Sequence, residues 1–113
     1  MAKLETILCV DDDADIGEAL EAALSPEFTV LLAQNCEEAV KLTQQSSPDL
    51  FIVDLVLPDI SGPETLEKLQ QCLNCTETPG MILTSNNQFA TFSEPRPPHL
   101  LGVLTKPFDP AQL

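Results

Sequence analysis
Apolar residues fall into two alternating patterns along this chain. Short runs rich in them occupy Thr6–Val10, Phe28–Ala33, Leu50–Val53, Met81–Leu83 and Gly102–Thr105. Between these, Ile16, Ala19, Leu20, Ala23 and Leu24 recur at three- and four-residue spacing, as do Cys36, Ala39, Val40 and Thr43, and then Leu66, Leu69 and Leu73. The short runs predict strands. An unbroken run such as Leu50–Val53 predicts one buried on both faces. The wider spacing predicts helices with one apolar face. Turn formers separate the elements at Ser25-Pro26, Ser46-Ser47-Pro48, Pro58 to Gly62 and Thr78-Pro79-Gly80. Asn35 with Glu38 makes a capping-box pattern, and Pro63 suits a first helical turn. Strand and helix alternate, which predicts an α/β fold with a parallel sheet and helices on both faces.

The alternation breaks at 86–101, where a fourth helix belongs. Pro95, Pro97 and Pro98 exclude a continuous helix there, leaving at best a turn or two around Phe89 to Ser93. After the fifth strand, Pro110 could open a fifth helix, but the sequence stops at Leu113. The expectation is one domain over 1–113, with an irregular fourth helix and the fifth missing or truncated from a longer protein.

Composition narrows the function. The 113 residues carry 18 acidic and 5 basic side chains, a net charge of −13. Such a surface repels nucleic-acid phosphates, so this segment should not bind DNA or RNA itself. No apolar run reaches membrane-spanning length and no signal-peptide core opens the chain, so the expected location is cytoplasmic. Cys9 and Cys36 read as small buried or cap-region residues. Cys72-Leu-Asn-Cys75 follows a helical pattern rather than opening one, and His99 is the sole histidine, so neither redox nor zinc chemistry is expected of that pair.

The chemistry gathers at the ends of the runs. The first ends at Asp11 and Asp12, the third at Asp54, the fourth at Thr84 and the fifth at Lys106. In a parallel sheet these share the carboxyl edge, where open α/β sheets bind ligands. Singly, each residue reads as an ordinary cap, strand end or surface lysine. Together they form three carboxylates, a hydroxyl and an ammonium. Carboxylates so close repel one another, and a divalent cation resolves the repulsion. Oxygen-only ligands point to Mg²⁺, which keeps waters and accepts a phosphate oxygen. Asp54 is central and suits a nucleophile in phosphoryl transfer, while Thr84 and Lys106 supply positioning and charge. Asp13 reads as the solvated cap of the first helix.

With these motifs the chain resembles the receiver domain of two-component response regulators. The resemblance runs from Ile7 to Phe108. It rests on Val10-Asp11-Asp12, on Asp54 with Pro58 and Gly62 behind it, on Leu83-Thr84-Ser85, and on Lys106-Pro107-Phe108. It implies a flavodoxin-like sheet of order 2-1-3-4-5. It implies that Asp54 accepts a phosphoryl group from a sensor histidine kinase or histidine phosphotransfer protein. Mg²⁺ would be arranged by Asp11, Asp12, Asp54 and the backbone carbonyl of Val56. Thr84 and Lys106 would contact the phosphoryl group, and the chain would be a signalling phosphoacceptor, not an enzyme acting on other substrates. An output domain or partner protein is implied, while oligomeric state stays open. Where the family carries a switch aromatic this sequence has Val103, so the expectation is that phosphorylation acts through 86–101, with Phe89 and Phe92 changing burial. Among rivals, a haloacid-dehalogenase-type phosphatase wants a second Asp where Val56 stands. A dinucleotide fold wants a glycine-rich first turn in place of Asp11-Asp12-Asp13. A degenerate receiver used only as a binding module would lack Asp54, Lys106 or the acidic pair, all of which are present.

Overall fold
A computed structural model describes residues 5–25, 27–55, 57–72 and 77–84, and the backbone alone of 100–105. The elements in chain order are β1 (Thr6–Val10), α1 (Ala14–Leu24), β2 (Thr29–Ala33), α2 (Cys36–Ser46), β3 (Leu50–Asp54), α3 (Gly62–Gln70), β4 (Gly80–Thr84) and β5 (Leu100–Thr105). The five strands form one parallel sheet of order β2-β1-β3-β4-β5, as expected. Cys75, Phe89, Phe92, His99 and the expected irregular fourth and absent fifth helices lie outside the described residues.

The burial of the strands explains their composition. Nearly every side chain of β1, β3 and β4 is buried, because helices cover both faces of these strands. Along them, alternate residues serve opposite faces. Leu8, Val10, Phe51, Val53 and Ile82 pack with Ala39 of α2 and with Leu66 and Leu69 of α3. Ile7, Cys9, Ile52 and Leu83 pack with Leu20 and Leu24 of α1. The edge strand β2 is half-exposed, and Leu32 is a large exposed apolar side chain on it.

Local rules set the helix ends. Asp13 caps α1 by accepting the Asp15 N–H, as expected of it. Asn35 caps α2 through the Glu38 N–H at 2.8 Å, while the Glu38 carboxylate reaches back to the Gln34 N–H. Ser47 ends α2 with φ 47°, the left-handed conformation common after helix ends. The expected face of α1 is shifted: Ile16, Gly17, Leu20 and Leu24 turn inward, and Ala19 and Ala23 are exposed. At about 100° per residue the two alanines lie on the far side of Ile16 from that arc, so the larger side chains take the core. Strand bounds also move slightly: β2 begins at Thr29 rather than Phe28, and β5 at Leu100 rather than Gly102.

One buried group runs against stability. Thr43 of α2 is fully buried beside Ala39, and its Oγ1 has no hydrogen-bond partner among the described residues. A buried hydroxyl without a partner costs about 1–3 kcal/mol. Thr43→Val is therefore expected to raise stability by about 1 kcal/mol in urea denaturation. A loss of that size would instead mean that the hydroxyl is bonded.

Candidate functional site
The sheet brings the acidic residues together by register. Val10 of β1 pairs with Val53 of β3, so Asp11 and Asp54 come next on adjacent strands. Both are buried, at 4% exposure each, while Asp12 is exposed at the mouth of the site. Two backbone links hold Asp11: its N–H donates to Ala33 O at 2.9 Å, and its Oδ1 accepts the Asp13 N–H at 2.9 Å. One carboxylate oxygen from each of Asp11, Asp12 and Asp54 lies within 4.8 Å of the others. Thr84 is the last residue of β4 and is fully buried, one step beyond Leu83, the register partner of Asp54. Lys106 and Val56, expected at this site, lie outside the described residues.

The donor set fits a small hard cation. All its atoms are carboxylate oxygens, and an ion bound at about 2.0–2.1 Å holds opposite oxygens about 4.2 Å apart. Oxygens within 4.8 Å of one another need only small side-chain rotations to reach that sphere. Three ligands leave room for water and for one oxygen of an incoming anion.

The loop from Leu55 to Ser61 closes behind Asp54. Leu55 N–H donates to Leu83 O at 2.7 Å, and Gly62 N–H returns to Leu55 O at 2.7 Å. Ser61 caps α3 by accepting the Glu64 N–H, with Pro63 in the first turn behind it. Midway, Asp59 reaches across to the amino end of α2. Its two oxygens accept the Cys36 N–H at 3.2 and 3.1 Å, and one also accepts the Glu37 N–H at 3.4 Å. What burial Asp59 has pushes its pKa up, but backbone hydrogen bonds from Cys36, Ile60, Asp59 itself and Glu37 outweigh this and hold it below the usual carboxylate range. Sequence reasoning took Pro58 and Gly62 as turn markers and passed over Asp59 and Ser61. The Ser61–Glu64 capping pattern was available as a signal for the second.

The cysteines stand apart from this chemistry. Burial, then the charges of Asp11 and Glu21, push the Cys9 thiol up to about 12. Burial also raises that of Cys36. Neither resembles a reactive thiolate. Cys72 packs partly against the α2–α3 side of the core, its thiol 3.7 Å from Lys68 O.

The model of the response regulator receiver domain matches residues 7–113, nearly the whole chain. The chain belongs to the response regulator receiver domain family. Over its full length this receiver domain is 32% identical to Response regulator Rre1 of Synechocystis, of which it spans 50%. The signal receiver domain of an HD domain-containing protein from Pseudomonas fluorescens Pf-5 superposes with a TM-score of 0.81 at 26% identity, covering 99% of this chain and 82% of that one. The receiver domain of sensor histidine kinase PA1611 from Pseudomonas aeruginosa shares the fold with a TM-score of 0.77 at 23% identity, covering 97% and 91% of the two chains. In that protein a magnesium ion is coordinated in the active site cleft. No helix among the described residues of the receiver domain is long and apolar enough to cross a membrane.

Proposed function
We propose that Asp54 is the phosphoacceptor of this receiver domain, loaded from a phosphohistidine with the help of Mg²⁺. The observation that carries the reading is the buried Asp54 carboxylate, which ends the central strand within reach of Asp11 and Asp12. A carboxylate oxygen of Asp54 forms the new bond to phosphorus as the bond from phosphorus to the donor imidazole breaks. The imidazole leaves with that electron pair and takes up a proton from solvent. Such transfer depends mainly on positioning and charge neutralisation. Mg²⁺, when bound, supplies the neutralisation. Asp11, Asp12, Asp54 and the Val56 carbonyl would hold it, and the hydrogen bonds to Asp11 fix one of those carboxylates in advance. Thr84 donates its hydroxyl to the transferred group, and Lys106 pairs with its charge.

The phosphodonor would be a sensor histidine kinase or a histidine phosphotransfer protein. The 113 residues would act as one receiver unit that passes the signal to an output domain or partner protein, without itself touching nucleic acid, given the net charge of −13. The chain would catalyse only its own phosphorylation and dephosphorylation. The free thiols of Cys9 and Cys36 suit a cytoplasmic setting.

Incubation with a small acyl phosphate and Mg²⁺ tests the reading. A base-labile phosphoryl adduct is expected, and peptide mapping should place it on the fragment containing Asp54. An adduct on another fragment, or labelling indifferent to Mg²⁺, would overturn the assignment.

A further inference from the structure
We infer that Asp59 is a positioning residue for phosphoryl transfer, latching the loop behind Asp54 to the first turn of α2. The inference rests on Asp54 being the phosphoacceptor, and it assigns a role to a residue outside that site. The loop leaves Asp54 and returns at Gly62, with both its ends fixed by backbone hydrogen bonds at Leu55. Between them Leu57 is buried in the core. Beyond it, Asp59 ties the exposed part of the loop to another element, because the Cys36 and Glu37 amides donate to its carboxylate.

The capping of α2 shows that this contact is specific. The first amides of a helix have no partners within it. Asn35, the helix's own cap, takes the Glu38 N–H, and its carbonyl takes the Ala39 N–H. The two amides before these are taken by a residue 23 and 22 positions away in sequence. A negative side chain suits the positive end of the helix dipole. Acidic Glu37 and Glu38 lie beside it, so without those amides like charge would drive the loop outward. Asp59 is itself exposed and is not among the three carboxylates, so any influence on the site runs through the backbone that begins at Leu55. Holding that backbone keeps the Asp54 carboxylate that precedes it in one arrangement before the cation arrives. Contacts made directly to a metal's ligands typically cost 10- to 100-fold in affinity once removed, and a contact acting one step further out, through the backbone, belongs at the low end of that range.

The two caps of α2 provide the test. Asp59→Ala and Asn35→Ala each remove one cap, and each should lower thermal stability by a similar amount. Only the first frees the loop. Mg²⁺ affinity would be measured by calorimetric titration, and labelling by acyl phosphate at increasing Mg²⁺, with all proteins well below their melting temperatures. Asp59→Ala should weaken Mg²⁺ binding roughly tenfold. It should raise the Mg²⁺ needed for half-maximal labelling to match, and leave the rate at saturating Mg²⁺ within about twofold. It should also speed amide hydrogen exchange across 55–61. Asp59→Asn, whose amide oxygen can still accept these bonds, should recover most of the affinity. Asn35→Ala should bind Mg²⁺ as the wild type does. The inference is overturned if Asp59→Ala keeps wild-type affinity. It is equally overturned if Asn35→Ala loses as much, because the effect would then be helix stability alone. A wild-type chain that binds no Mg²⁺ would remove the phosphoacceptor reading first and this inference with it.

Discussion

Asp54→Asn is expected to abolish the phosphoryl adduct and at the same time to make the metal-free protein more stable. The first effect follows from chemistry: the amide that replaces the carboxylate is a poor nucleophile and has no charge to share with a cation. The second follows from geometry. Three carboxylates offer oxygens within 4.8 Å of one another, and two of them are buried. Two unit charges 4 Å apart repel by about 4 kcal/mol at a surface-like effective dielectric, before rearrangement and counterions reduce it. Removing one charge relieves two such pairs at once. A net gain of about 1–2 kcal/mol is the scale left after local hydrogen bonds readjust.

Thermal unfolding with and without Mg²⁺ checks both halves of this. The wild type should gain stability on adding Mg²⁺, because a ligand that binds only the folded state stabilises it by mass action. The variant should start higher and gain much less. A variant that unfolds earlier than the wild type in the absence of metal would mean that the carboxylates are compensated by neighbours, and that the cluster stores no repulsion for a cation to relieve.

The fold was legible because its signals are local. A run such as Leu50–Val53 flanked by Pro48 and Pro58 can hardly be anything but a buried strand, and five such runs with helical spacing between them leave few topologies. The acidic cluster was legible for the same reason: each member follows a strand, and parallel strands share one edge. What escaped depends on contacts distant in sequence. Asp49, beside Pro48 in the turn before the third run, carries no local sign of its partners, yet its carboxylate accepts the Glu5 and Thr6 N–H groups at 3.0 Å and fastens the start of β1. Asp59 was passed over, and its partners lie in the first turn of another helix. The face of α1 was misjudged by the small size of alanine. Ala19 and Ala23 fit an apolar stripe by type, but burying them would have turned Gly17 away from Leu32 and lifted Leu24 out of the core.

Gly62→Ala is expected to be the most damaging single-methyl change near the site. Gly62 does not adopt a positive φ, so its need for glycine is one of space rather than backbone conformation. A Cβ built there would lie 2.1 Å from the backbone oxygen of Asp54 and 2.8 Å from Cα of Leu55. Both are backbone atoms, so no side chain can swing aside. Either the first turn of α3 moves out, breaking the 2.7 Å bond from Gly62 N–H to Leu55 O, or the peptide after Asp54 moves. Helix propensity alone would favour alanine by about 1 kcal/mol. Overpacking a close-packed site costs about 1–3 kcal/mol, and against immovable backbone the upper end applies. The expected net result is a loss of about 2–3 kcal/mol in urea denaturation, with phosphorylation at Asp54 falling well beyond what the unfolded fraction explains. Gly17→Ala is the matched comparison. It is also a buried helical glycine, but its Cβ would meet Leu32 Cδ2 at 3.5 Å, an ordinary contact. That variant should gain about 0.5–1 kcal/mol and label normally. If the two variants shift stability in the same direction, the backbone behind Asp54 yields more readily than its packing against Gly62 implies.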